Sequence, residues 1–133
     1  MALARFISAP LKRRDVEIFG DREQVREMTY VADVVDVTVA ALGQVGGKTP
    51  RLCNIGSGTR TTVNGMLDAV RRATQSPTKA VYGPAAEEEV RSTWADSGRV
   101  ERELGYRPRS GFEEGVQAQA EWALKKHLAP SAA

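Results

Sequence analysis

Histidine and cysteine each occur once, and that scarcity closes off several kinds of chemistry. The lone thiol, Cys53, cannot form a disulfide within the chain and gives no metal-ligand spacing; a small buried residue on a strand is its expected role. The lone imidazole, His127, falls in the last turns of a C-terminal helical pattern, where exposure and the helix dipole account for it without catalysis. No apolar run approaches the ~20 residues that span a bilayer, and the N-terminus lacks the basic, apolar, small-residue order of a secretory signal. A cytoplasmic location away from any membrane is the expectation. Neither sign of charge dominates: 19 Lys and Arg are interspersed with 17 Asp and Glu, which argues against a nucleic-acid partner.

What remains is ordinary globular material. The 133 residues fall within the size of one domain, residues 1–133, able to bury a core. With 41% hydrophobic and 27% charged residues, wholesale disorder is excluded.

Periodicity predicts a short amphipathic helix over residues 1–13, with Leu3, Phe6, Ile7 and Leu11 on its apolar face and Pro10 ending or kinking it. A brief strand follows at 16–19, stopped by Gly20-Asp21, and a second short β segment at 28–31. Asp33 is placed to cap a helix over 34–42, which Gly43 ends. Residues 51–55 form the strongest strand pattern and run into Gly56-Ser57-Gly58. Thr62 caps a helix over 63–74 whose apolar face carries Val63, Met66, Leu67 and Val70. Another strand is expected at 79–82. Asp96 or Ser97 then caps a helix stopped by Gly105, and Ser110 with Glu113 has the capping-box spacing that opens a last helix over 112–128. The pattern is α/β, with few, short strands and about five helices.

Gly56-Ser57-Gly58 lies between a strand and a helix, as a dinucleotide loop would. The fingerprint needs a third glycine where Thr61 stands, and no Gly-Lys-Ser/Thr follows, so a structural turn is the better reading. The run Glu87-Glu88-Glu89 reads as a solvated loop rather than an acid/base pair. No nucleophile–base constellation is present.

The segment Ile18-Phe19-Gly20-Asp21-Arg22-Glu23-Gln24-Val25-Arg26-Glu27-Met28-Thr29-Tyr30-Val31-Ala32-Asp33-Val34-Val35 carries a more specific signal. It resembles the I-F-G-D-G-x-Q-x-R-D-F-x-Y-V-x-D-V-V stretch of extended short-chain dehydrogenases/reductases, the family of UDP-glucose 4-epimerases and nucleotide-sugar 4,6-dehydratases. Four further stretches follow in family order: Asn54-Ile55-Gly56-Ser57-Gly58, Trp94-Ala95-Asp96, Leu104-Gly105-Tyr106-Arg107-Pro108, and Glu113-Glu114-Gly115-Val116 leading to Glu121-Trp122. The resemblance covers nearly the whole chain. It implies the small substrate-binding lobe of such an enzyme, with the last strand or two of its Rossmann sheet and without the cofactor-binding N-terminal half.

The resemblance also implies a site. The family's arginine of the Q-x-R-D motif contacts the diphosphate of the nucleotide-sugar, and here it is Arg26, a planar fork suited to phosphate oxygens. A second family arginine, in an R-P-G-D or R-P-G-E loop, is replaced by Ala86 and the glutamates that follow. Glu89 keeps the acidic position that meets the ribose, and Arg91 is the cation placed to compensate beside the acidic run. Glu27 stands where the family has aspartate, Arg22 where it has glycine and Met28 where it has an aromatic.

The family holds NAD through a G-x-x-G-x-x-G loop and uses a Tyr-x-x-x-Lys pair. Val34, Ala86 and Ser110 stand four residues after the three tyrosines, so no catalytic residue is transferred and no cofactor is expected on this chain alone. Two functions follow as expectations: a nucleotide-sugar-binding fragment of an NAD-dependent epimerase/dehydratase, not competent by itself, or a non-catalytic oligomerising or interaction protein that kept the fold and lost the ligand. The strand at 51–55 would lack neighbours. An exposed edge of that kind needs covering, by a second copy in a homodimer or by a separate cofactor-binding chain.

Overall fold

The computed structural model describes residues 2–20, 23–43, 52–85 and 90–128. Along the chain run α1 (Ala2–Leu11), β1 (Val16–Phe19), β2 (Val25–Glu27), α2 (Val31–Leu42), β3 (Arg60–Thr62), α3 (Val63–Thr74), β4 (Ala80–Gly83), β5 (Ser92–Thr93), α4 (Gly98–Leu104) and α5 (Phe112–Leu128). The mixed α/β class and the brevity of the strands are those the sequence implies. Chain contacts divide the molecule into two units. Met1–Gln24, Thr62–Arg91 and Glu113–Ala133 make the first, and Val25–Thr61 with Ser92–Phe112 make the second.

In the first unit β1 and β4 pair in parallel, with Val16 opposite Ala80 and Phe19 opposite Gly83. Alternation along β1 buries Val16 and Ile18 and exposes Glu17 and Phe19, as period-two geometry requires. Helix α1 packs on β1 and α3 and buries Phe6, Ile7 and Ala9. Pro10 lies inside α1 rather than at its end; one residue from the terminus it forfeits a single helical hydrogen bond, and Arg13, with a left-handed φ of 53°, ends the turn that follows.

Helix α3 follows its sequence pattern closely. The Thr62 hydroxyl oxygen accepts the Gly65 N–H at 3.0 Å, a true N-cap. Met66, Leu67, Ala69 and Val70 are buried, and full burial of a Leu-sized side chain stabilises by roughly 1.5–3 kcal/mol. Arg71 donates through Nε and Nη2 to the Thr78 carbonyl, at 3.1 and 2.9 Å, and so fixes the turn that leads into β4. Helix α5 starts at Phe112, two residues after Ser110, and Glu113 in its first turn accepts from Arg72 on α3 at 2.6 Å.

In the second unit β2 lies between β3 and β5, and it runs parallel to β5 with Val25 opposite Ser92 and Arg26 opposite Thr93. The β segment expected at 28–31 is not a strand: pairing occurs three residues earlier, and α2 already begins at Val31. Tyr30 occupies the N-cap position without a side-chain cap bond, and Asp33 sits in the first turn instead of capping. The carboxylate of Asp33 is turned inward to other partners, described below.

The strand expected at 51–55 is likewise not observed among the described residues, which begin at Leu52. Cys53 and Ile55 pack half-buried against Val37, Val100 and Tyr106, so side-chain packing on the flanking helices takes the place of a ladder. Cys53 is therefore neither fully buried nor on a strand. Helix α4 begins where Asp96 Oδ1 accepts the Gly98 N–H at 2.9 Å, and it ends at Gly105, whose φ of 65° lets its N–H reach the Glu101 carbonyl. No helix among the described residues is long and apolar enough to cross a membrane.

Candidate functional site

Three-residue β2 carries the residue that the sequence marks most strongly. Arg26 is half-buried on it, and its Nη1 donates to the Val25 carbonyl at 2.9 Å. That contact directs part of the guanidinium along its own strand. Arg91 is exposed, immediately before β5, and belongs to the first unit, whereas Arg26 belongs to the second. Glu89, like Ala86, Glu87 and Glu88, lies outside the described residues, as do Asp21 and Arg22.

The neighbour of Arg26 does more than the sequence suggested. Glu27 Oε1 accepts the Gly58 N–H at 2.7 Å, and its Oε2 accepts the Ala95 N–H at 2.6 Å. Gly56 is buried directly against this carboxylate: a Cβ there would stand 2.4 Å from Glu27 Oε1. The glycines of the Asn54-Ile55-Gly56-Ser57-Gly58 stretch thus have distinct uses, one giving room to a side chain and one, Gly58 with φ of 71°, turning the backbone.

This geometry also decides whether the turn fits a dinucleotide. A phosphate cradle offers converging backbone N–H groups to an anion. Here the Gly58 amide already donates to the Glu27 carboxylate, so it is not offered to an anion. The turn does not fit one, in agreement with its structural reading from sequence.

Beyond β5, Trp94 is 67% exposed and Arg60 lies over its ring, 4.6 Å from the centroid. This is a cation–π pair at the surface of the second unit. A groove of about 490 Å³ in the first unit, lined by Ile7, Ser8, Gln119 and Trp122 among others, includes neither Arg26 nor Arg91. Among the described residues no group of three metal-ligating side chains occurs.

A second buried contact holds the same unit together. Asp33, 1% exposed, accepts the Tyr106 hydroxyl at 2.7 Å and the Arg109 N–H at 3.0 Å. Burial pushes this carboxyl up, but the Arg109 amide, the Tyr106 hydroxyl and Ser110 outweigh it and hold the pKa below the ordinary value. Tyr106 is pushed the other way, to about 12, by burial and by the negative charge it serves. Asp33 and Tyr106 both lie in the motif stretches quoted above, but nothing in their spacing announces that they meet.

Comparison with known proteins places these features. The model of the NAD dependent epimerase/dehydratase family matches residues 1–56. The UDP-glucose 4-epimerase of Mycolicibacterium smegmatis is 31% identical over 124 residues, which are 93% of this chain and 39% of that protein. The UDP-glucuronate 4-epimerase of Thermodesulfobacterium geofontis is 28% identical over 92% of this chain and 38% of its own length. Among solved structures, UDP-glucose 4-epimerase from Thermotoga maritima, with UDP-glucose, superposes with a TM-score of 0.84 at 31% identity, covering 95% of this chain and 40% of that one. UDP-glucuronic acid 4-epimerase from Bacillus cereus, in complex with UDP-glucuronic acid and NAD, gives a TM-score of 0.86 at 25% identity over the same shares. The chain spans about two fifths of the length of the relatives it matches, and over that span it resembles the NAD-dependent epimerase/dehydratase family.

Proposed function

We propose that this chain provides nucleotide-sugar recognition for an NAD-dependent epimerase/dehydratase and does not perform the redox chemistry by itself. One observation carries the reading. Arg26, in the family's diphosphate-contacting position, sits on the central strand of the second unit's sheet, within a fold shared over 95% of the chain with an epimerase solved with UDP-glucose. A guanidinium supplies bidentate, permanently charged donors to the diphosphate, whatever the sugar. Glu89 is assigned to the ribose hydroxyls and Arg91 to the charge balance beside the acidic run.

Nothing in the 133 residues provides a Tyr-x-x-x-Lys pair, so proton abstraction and hydride transfer fall to residues on other polypeptide. NAD is accordingly assigned to that other polypeptide, which is either covalently continuous with these residues in a longer protein or a separate chain.

Calorimetric titration with UDP-glucose tests the reading. Saturable binding is expected, weakened about tenfold or more in Arg26→Ala, since a hydrogen bond to a charged group contributes roughly 1.5–3 kcal/mol. Absence of binding at millimolar ligand would sink it and favour the second reading, a non-catalytic interaction protein. The observation behind that alternative is the row of exposed valines on α2, Val31, Val35 and Val39, which suits a protein surface better than solvent.

A further inference from the structure

Arg26 and Glu27 are consecutive on a strand of three residues, and the parallel ladder to β5 comprises two residue pairs. With β3 on its other side, β2 is central to the sheet, but all three strands have no more than three residues and offer few ladder bonds. The carboxylate of Glu27 spans much more of the chain: one oxygen holds Gly58, 31 positions away, and the other holds Ala95, 68 positions away. Both bonds are charge-assisted and short, the stronger class of hydrogen bond. The chain has also left Gly56 without a side chain where any Cβ would collide with this carboxylate.

The geometry points to Glu27 as a positioning residue: it clasps the Gly56–Gly58 turn and the segment after β5 to the end of β2, and so sets where the neighbouring Arg26 presents its guanidinium to a nucleotide diphosphate. This rests on the nucleotide-sugar reading above. Glu27 itself does not touch the ligand. Its two oxygens are engaged by the Gly58 and Ala95 amide N–H groups.

The test compares UDP-glucose affinity in the wild type, Glu27→Gln, Glu27→Asp, Gly56→Ala and the double variant Arg26→Ala/Glu27→Gln, each shown to be folded by circular dichroism. Glutamine turns one acceptor into a donor facing an N–H, so Glu27→Gln is expected to weaken binding about fivefold to tenfold, less than direct loss of a charged hydrogen bond because the effect is indirect. Glu27→Asp keeps the carboxylate and is expected to lose far less. Gly56→Ala displaces the carboxylate without changing any charge, and it should reproduce the loss even if the glutamine variant does not fold. In the Arg26→Ala background Glu27→Gln should cause no further loss, because the effect runs through the arginine. Unchanged affinity in both Glu27→Gln and Gly56→Ala, even with a lowered melting temperature, overturns the positioning role and leaves the binding reading intact. Additive losses in the double variant also overturn it. A wild type that does not bind overturns the functional reading and this inference with it.

Discussion

At Asp33 two opposing effects meet, and their balance predicts how stability depends on pH. Its folded pKa lies below the ordinary 3.8, so the folded state favours the ionised form. The stability this contributes is present above the ordinary value and is lost as pH falls through the depressed one. For Tyr106 the sign reverses. Its folded pKa is raised from 10.0 to about 12, so its contribution is complete below pH 10 and disappears as pH rises through about 12. Urea midpoints measured across both ranges should fall at each end, and Tyr106→Phe should flatten the alkaline fall. That variant also removes a donor from a buried carboxylate and should cost about 1–3 kcal/mol at neutral pH. Arg26 stands out in the sequence as a candidate because a motif surrounds it. The buried pair does not, because 73 positions separate its members and neither side chain signals its partner locally.

Among the elements, α3 offers the clearest stability predictions. Thr62→Ala removes the acceptor for the Gly65 N–H and should cost about 1 kcal/mol by chemical denaturation. Leu67→Ala, at a site 1% exposed, should cost about 2–5 kcal/mol by the same measurement. Helix signals were readable because they are local: Thr62 opens α3 and Gly105 closes α4 as their types dictate. Of the strands, β1 was readable at 16–19 and β4 within one residue of 79–82, but the others were not. Pairings of two or three residues, as in β2, β3 and β5, depend on partners far along the chain and leave little periodicity to detect. Residues 52–55 show the converse, with an apolar alternating pattern satisfied by helices instead of a ladder. In the same way Asp33 has the right type for a cap, but its buried partners prevail and α2 starts at Val31.

At the scale of the whole molecule, the chain leaves apolar surface that ordinary monomers cover. Along α2, Val31, Val35, Val39 and Leu42 recur at helical spacing with exposures of 65, 53, 62 and 65%. Contiguous apolar rows of this kind mark contact surfaces. The double substitution Val35→Lys/Val39→Lys should lower any self-association seen by sedimentation velocity and leave the circular dichroism spectrum intact. A wild type that stays monomeric and soluble at high concentration would count against a contact role for this face. The threading of the two units has a consequence for speed as well. Val16 must find Ala80, yet the stretch Val25–Thr61, which builds most of the second unit, lies between them in sequence. Closing so long a loop costs entropy before the parallel pair repays it, and such non-local topologies fold slowly. During synthesis β1 therefore waits, its backbone N–H and C=O groups bonded to water instead of to β4, until residues 80–83 have emerged. Refolding followed by hydrogen-exchange pulse labelling should show the α3 amides protected before those of β1.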